Sequence, residues 1–388
     1  MKYDCTATSS KINYKKTAKG CLFVKIETPC LVIDYETMAR NIERMALLSK
    51  NSGCKLRPHT KTHKSPRVAK MQLEAGACGI TVAKLGEAEV MAENGIGDIF
   101  VAYPVIGEGK VKRVLELNRK IRLIVGADSL KGAKELAEAA FSDGQVIEVR
   151  MEVDTGMRRT GVPYGKAVDF AKAISGYQGI RLTGIFTFKG LVYEGKATLD
   201  REKAGLEEGM LMSELAAKLR KEGIPIEDVS VGSTPTAAYA AGVPGVTEIR
   251  PGTYVYNDIM TANLGVCALE DCAASVLTTV VSRPADDYVV IDGGNKTFST
   301  DAALEAFPYH LKGYGRIMQD ERLILAKLSE EHGTIKTAEA GIGLKIGDII
   351  SIIPNHVCTT VNLHDRAYLL RNGRITEELP IAARGRVY

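Results

Sequence analysis

The alternation of apolar and polar positions changes character twice along the chain. CLFVKIETPCLVIDY, residues 21–35, reads as extended, with Pro29 in its middle. Met38, Ile42, Met45 and Leu48 then recur at helical spacing between Glu36 and Asn51, and Gly53 ends the run, which predicts an amphipathic helix and a turn. From Lys55 to Tyr256 short apolar runs alternate with helical stretches: KLRPH, GITVA, DIFVAY, RLIVGA, VIEVRMEVD, RLTGIFTF, DVSVGS and EIRPGTYV. The connecting stretches, such as SLKGAKELAEAAFSDG, are rich in helix formers and usually finish in Gly, as helix ends do. Eight such repeats predict a (β/α)8 TIM-type barrel. A doubly wound sheet also uses alternating units and is the competing architecture. Beyond Asp258 the texture turns to strands and turns (SVLTTVVSRP, DYVVIDGG, RLILAKLSEEHG, DIISIIPNH, RAYLLRNG), which predicts a C-terminal all-β domain. The expected division is 28–258 for the barrel and 259–388 for the β domain, with residues 1–27 extending or packing on the latter.

Composition narrows the class. With 45% apolar and 25% charged residues in 388, the chain reads as a soluble globular protein. Its net charge of +4 is spread among interspersed acids and bases, which argues against nucleic-acid binding. No apolar run approaches the roughly 20 residues of a membrane span, and MKYDCTATSSKINYKK lacks the apolar centre of a signal peptide, so the expected location is cytoplasmic. Eight cysteines lie scattered without CxxC pairs and read as reduced.

KLRPHTKTHK, residues 55–64, holds three lysines, two histidines and an arginine. A solvated basic loop, a phosphate or nucleic-acid patch, and an active-site loop with a reactive lysine all fit such a stretch. In a barrel, residues just past strand ends face the catalytic mouth, where Lys61, Arg159 and the GSTPT loop (232–236) would converge. Like charge from Arg57, Lys64 and protonated His59 and His63 would lower the Lys61 pKa toward the neutral amine that imine formation needs, so Lys61, Arg159 and His59 are the catalytic candidates. Gly232, Ser233 and Thr234 suit a phosphate cradle, although a plain turn has the same composition. A second such loop, Arg250 to Thr253 with Gly252 inside it, follows the eighth run, and Tyr254 and Asn257 lie just beyond. In PNHVCTTVNLHD, an extended strand would put His356 and Cys358 on one face as zinc ligands; a core Cys beside a satisfied His is the alternative. His332 and His364 read as structural.

RPHTKTHK, VAKLGEAEV, EVDTGMRRTGV, SVGSTPT, EIRPGTYVYND and PNHVCTTVNLHD, in this order, resemble the D-threonine aldolase and D-serine dehydratase family of pyridoxal-phosphate enzymes, within the alanine-racemase-like fold. The resemblance runs from about Thr28 to the terminal IAARGRVY. It implies pyridoxal 5'-phosphate held as an imine on Lys61, Arg159 as partner of a cofactor or substrate anion, and a homodimer with sites near the subunit contact, which Lys296 could then reach. It also implies a divalent metal on His356 and Cys358 beside the substrate's β-hydroxyl, with the thiolate favouring zinc over manganese or magnesium. The activity implied is a metal-assisted lyase of a D-β-hydroxy-amino acid. An amino-acid racemase is the alternative, because Arg250 matches the arginine that meets the pyridine nitrogen in alanine racemases; a non-catalytic pyridoxal-phosphate carrier is a third reading. One departure stands out: Phe188-Lys189-Gly190 replaces the family's usual Tyr-His-Gly or His-Glu-Gly, leaving Lys189 either to supply a cation or to point outward.

Overall fold

The computed structural model describes residues 26–337 and 343–388. The expectation for residues 1–27 therefore falls outside the described residues, except that Ile26 packs against Cys30, Val32 and Leu277. Strand β1 (Cys30–Asp34) comes first, and Asp34 accepts a hydrogen bond from the Thr37 N–H at 2.8 Å. That bond caps the helix Tyr35–Ser52, whose Met38 and Ile42 are buried; Gly53, at φ 70°, closes it. The expected helix and turn are both present.

Eight parallel strands follow: β2 (Lys55–Leu56), β3 (Ile80–Val82), β4 (Asp98–Pro104), β5 (Arg122–Ala127), β6 (Ile147–Asp154), β7 (Ile180–Phe186), β8 (Asp228–Val231) and β9 (Glu248–Ile249). Each coincides with one of the eight apolar runs. Their order in the sheet is β2-β9-β8-β7-β6-β5-β4-β3. A doubly wound sheet reverses direction part-way through its strand order. Here the order never reverses, and the two outer strands approach each other through the bridge His59↔Thr81 and the bond from Thr81 N to the Pro58 carbonyl, 2.8 Å. The sheet is thus curled as in a TIM-type barrel.

The barrel interior is layered by polarity. Near the amino ends of the strands Arg57, Arg150, Asp228 and Glu248 are buried together. Above them the rings of Phe100 and Phe186 meet edge to face, 4.9 Å apart, and Ile124 packs with them. Arg250 lies over Phe186 at 5.2 Å, on the side toward the carboxyl ends.

The C-terminal part is antiparallel: β10 (Ala274–Ser282), β11 (Tyr288–Ile291), β12 (Gly315–Ile317), β13 (Ile324–Leu328), β14 (Gly333–Lys336) and β15 (Ile349–Pro354) close into a ring in the order β10-β11-β14-β13-β12-β15. Strand β1 pairs with β10 on one side and with β16 (Arg366–Arg371) on the other, and β17 (Arg374–Pro380) completes the sheet. Cys30–Asp34, at the head of the span expected to form the barrel, therefore sits in the C-terminal sheet. Its side chains Leu31 and Ile33 share one core with Val276, Ile352 and Leu369, which also takes in Met38 and Ile42 of the first helix. Among the described residues no helix is long and apolar enough to cross a membrane.

Candidate active site

A cavity of ≈ 990 Å³ opens at the carboxyl ends of the barrel strands, between the barrel and the C-terminal strands. Lys61 enters it from a 3-10 turn, Thr60–Thr62, that follows β2. The turn is pinned by the His59 N–H donating to the Pro251 carbonyl at 3.0 Å and by the Lys61 N–H donating to His59 Nδ1 at 3.3 Å. Burial lowers the Lys61 pKa; Arg159 and Arg250 lower it too, while Cys358 and Glu87 act the other way. The amine expected from the sequence is present, but its neighbours differ from the expected ones. Arg57 turns into the barrel to Glu248 and Asp98, and Lys64 pairs with Glu87 at 2.9 Å. His59 is held well below its ordinary pKa by burial and then by Lys61 and Arg250, and burial pushes His63 down to about 4. Neither imidazole adds positive charge to Lys61, because burial keeps both rings neutral.

The two loops expected to cradle an anion lie side by side on the cavity wall. Gly232 follows β8 at φ +82°, a conformation that glycine adopts without strain. At Gly252 a Cβ would stand 3.0 Å from the His59 carbonyl oxygen and 3.2 Å from Thr62 Oγ1, so a side chain there would press on the Lys61 turn. Ser233, Thr234 and Thr253 also line the cavity. Arg250 reaches it from below, with its donors on Ser230 Oγ and the Thr187 carbonyl, both 2.5 Å away, and burial lowers it to about 10. Arg159 is exposed and faces the ring of Phe188 at 5.0 Å, while Lys61 faces the same ring at 5.6 Å.

Tyr254 is not brought to the cavity. Its hydroxyl accepts from Gln72 Nε2 at 2.9 Å in a buried chain that continues to His63. Lys189 also turns away: it is buried against Glu207 and the Val192 carbonyl, so it supplies no cation to the cavity. Asn257, His332, His364 and Lys296 lie off the lining. His364 holds the Thr297 carbonyl at 3.2 Å, and Lys296 pairs with Glu330 and Glu331.

His356 and Cys358 do reach the cavity, but not from a strand. Strand β15 ends at Pro354; His356 is the N-cap of the helix Val357–Asn362, and Cys358 stands in its first turn. Buried Asp258 accepts from the Val357 N–H at 3.0 Å and fixes this start. The two side chains still act on each other electrostatically. Cys358 Sγ lies 3.2 Å from Thr62 Oγ1, which ties the pair to the Lys61 turn. Burial opposes charge on both groups, yet Asp301 and Cys358 raise His356 to about 11, and His356 lowers Cys358.

Four acidic residues among those described line the cavity, Glu87, Glu152, Asp258 and Asp301, and the sequence reading assigned a role to none of them. Glu152, on β6, is 5% exposed, and its Oε2 has no hydrogen-bond partner among the described residues. Burial raises its pKa. The two-residue period of VIEVRMEVD, which puts Glu152 on the same face as Arg150, was the signal for it. Asp301 carries no such signal.

Comparison with known proteins decides between the readings. The alanine racemase N-terminal domain family matches residues 33–259, and a serine dehydratase domain family matches residues 273–370. D-threo-3-hydroxyaspartate dehydratase of Delftia sp. (strain HT23) is 37% identical over 361 residues, covering 86% of this chain and 92% of the relative. The chain belongs to the D-serine dehydratase and D-threonine aldolase family. D-threonine aldolase of Arthrobacter sp. is 29% identical over 94% of this chain and 95% of its own length. Among solved structures, D-threonine aldolase from Filomicrobium marinum superposes with a TM-score of 0.84 at 28% identity, covering 94% of this chain and 97% of that one.

The family consists of pyridoxal-phosphate lyases, and the side chains present fit that cofactor. A partly buried amine with a lowered pKa, two glycine loops with hydroxyls beside it, and two arginines free of carboxylate partners among the described residues face one cavity. The donor chemistry of His356 and Cys358 also fits a divalent metal of zinc type. Among the described residues no group of three or more His, Cys, Asp or Glu is arranged to hold a metal ion.

Proposed function

We propose that this chain is a pyridoxal-phosphate-dependent, metal-assisted dehydratase of a D-β-hydroxy-amino acid, releasing ammonia and a keto acid. The observation that carries the reading is that the Lys61 amine and the His356–Cys358 pair open onto one cavity and are linked through Thr62. The bound cofactor supplies an electron sink for the bond broken at the substrate's Cα. Lys61 Nζ would anchor it and, as the free amine, would take the proton from Cα. Gly232, Ser233, Thr234, Gly252 and Thr253 would hold its phosphate, Arg250 would face its ring, and Arg159 would meet a cofactor or substrate oxygen. His59, neutral in its surroundings, supports the Lys61 turn through Nδ1. A divalent cation, zinc by the softness of the thiolate, supplies Lewis acidity for departure of the β-hydroxyl. His356 and Cys358 orient it. One solved structure of the Delftia dehydratase is a cysteine-to-alanine variant in the metal-free form, which supports a metal role for Cys358. A homodimer in the cytoplasm completes the proposal.

Aldol cleavage uses the same polarised hydroxyl and is the second reading, favoured by the D-threonine aldolase relative. The test is incubation of the purified protein with D-serine, D-threonine, D-threo-3-hydroxyaspartate and L-alanine. The expected result is keto acid and ammonia from a D-hydroxy substrate, lost with chelator and restored by zinc. Glycine and an aldehyde as products would turn the assignment to aldol cleavage. Chelator-insensitive interconversion of alanine enantiomers would make it a racemase, and a bound chromophore without turnover would make it a carrier.

A further inference from the structure

Resting on the metal reading above, we infer that Asp301 is a positioning residue that fixes the His356 ring for metal binding. Asp301 Oδ2 lies 2.6 Å from His356 Nδ1. The other carboxylate oxygen accepts from Ser299 Oγ and from Thr359 Oγ1, the latter at 3.1 Å. The acid is thus braced from its own segment and from the helix that carries Cys358. An ionised carboxylate can only accept, so Nδ1 is the nitrogen that keeps its proton, and Nε2 is the one left to offer a lone pair when a metal binds. Cys358 lines the same cavity two residues further on, so the ring and the thiol open onto one space. A carboxylate behind a metal-binding histidine fixes its tautomer and rotation and raises its basicity, and losing such a partner typically lowers metal affinity about 10–100-fold. The polypeptide brings this acid from a segment of irregular structure, 55 residues before His356, onto the edge of the cavity.

The experiment uses the full chain with its pyridoxal cofactor bound, stripped of metal by chelator. Zinc is titrated in competition with a chromophoric chelator. Asp301→Asn keeps the shape but can offer an N–H to Nδ1, which moves the ring proton to Nε2 and blocks the ligand. Its zinc affinity is expected to fall about 10–100-fold, with the visible absorbance of the bound cofactor and the melting temperature unchanged. Asp301→Glu is expected to recover part of that loss, which a role confined to holding the segment in place would not predict. An Asp301→Asn affinity within threefold of the parent would overturn the inference while leaving the metal reading intact. A parent that takes up no zinc would remove both. Should Asp301→Asn fail to fold, Ser299→Ala removes one brace from the carboxylate and is expected to weaken zinc binding severalfold; an unchanged affinity there overturns the inference as well.

Discussion

The barrel concentrates charge in two places, and they are built on opposite principles. In the interior, Arg150 donates to Glu248 at 2.5 Å and to Asp228 at 2.7 Å, Arg57 donates to Glu248 at 2.8 Å, and Lys55 reaches Asp228 at 3.0 Å. At the mouth, Lys61, Arg159 and Arg250 pair with no carboxylate among the described residues; they face an aromatic ring, a hydroxyl and a carbonyl. A charge withdrawn from water costs several kcal/mol unless something answers it. The interior answers its charges with protein groups, which marks a structural cluster. The mouth leaves its cations to be answered by an anionic ligand, which marks a binding site. KLRPHTKTHK is divided between the two: Arg57 belongs to the interior, with exposed Lys55 reaching buried Asp228 from outside, and Lys61 belongs to the mouth, where Lys64 is already paired with Glu87.

Removing one charge from each place tests the contrast, and the largest effect belongs to the mouth. Lys61→Ala is expected to abolish the visible absorbance of the bound cofactor and to lower turnover by about 10⁴-fold, the upper range for loss of a general base. Its urea unfolding curve should match that of the cofactor-free parent. A variant that keeps the absorbance would mean that a different amine anchors the cofactor.

Glu248→Gln is the interior counterpart, and its effect should fall on stability. It leaves Arg57 and Arg150 without their shared carboxylate, and breaking a buried pair of this kind costs about 3–5 kcal/mol, readable from the urea midpoint. Its pH dependence has a definite sign. Burial alone would raise the Glu248 pKa, but Arg150 and Arg57 outweigh it and hold the group well below the ordinary carboxylate range. The unfolded chain therefore binds the proton first. The stabilisation is complete above about pH 4.3, the ordinary Glu value, and is lost as pH falls toward the folded value. The parent's urea midpoint should drop on acidification below that point, and the Gln variant's should drop less. Equal acid sensitivity of the two proteins would argue that the interior cluster does not depend on ionised Glu248.

The same contrast explains what the sequence could and could not reveal. Parallel strands covered on both faces become short apolar runs, so all eight were legible in the pattern. The loops just past strand ends were legible too, because position after a strand dictates which end of the barrel a residue faces. Which charges surround Lys61 was not, since that depends on the inward or outward turn of single side chains: Arg57 sits four residues from Lys61, yet it faces the opposite end. His356 and Cys358 were paired for a wrong reason. Spacing along a strand put them together on paper, whereas the fold joins them at a helix start held by Asp258. Asp301 had no legible signal at all, because only the tertiary path of its segment brings it to Nδ1 of His356.

The finest test of the mouth concerns the sign of single neighbours on Lys61. Beyond burial, Arg159 lowers its pKa and Glu87 raises it. Uptake of free pyridoxal phosphate by the cofactor-free protein requires the neutral amine, so the pH at half-maximal uptake rate reports that pKa. Arg159→Ala removes a repelling cation and should move the midpoint upward, slowing uptake near neutrality. Glu87→Gln removes an attracting anion while its amide can still accept from the Ala83 N–H, and it should move the midpoint downward. Each shift is expected to be on the order of one pH unit or less, at most about tenfold in rate at a fixed pH. Opposite displacements would mean that the amine is tuned by the charges that face it across the cavity. Displacement of both midpoints in one direction, or of neither, would mean that burial alone sets it, and the cations at the mouth would then serve to hold the ligand without preparing the amine.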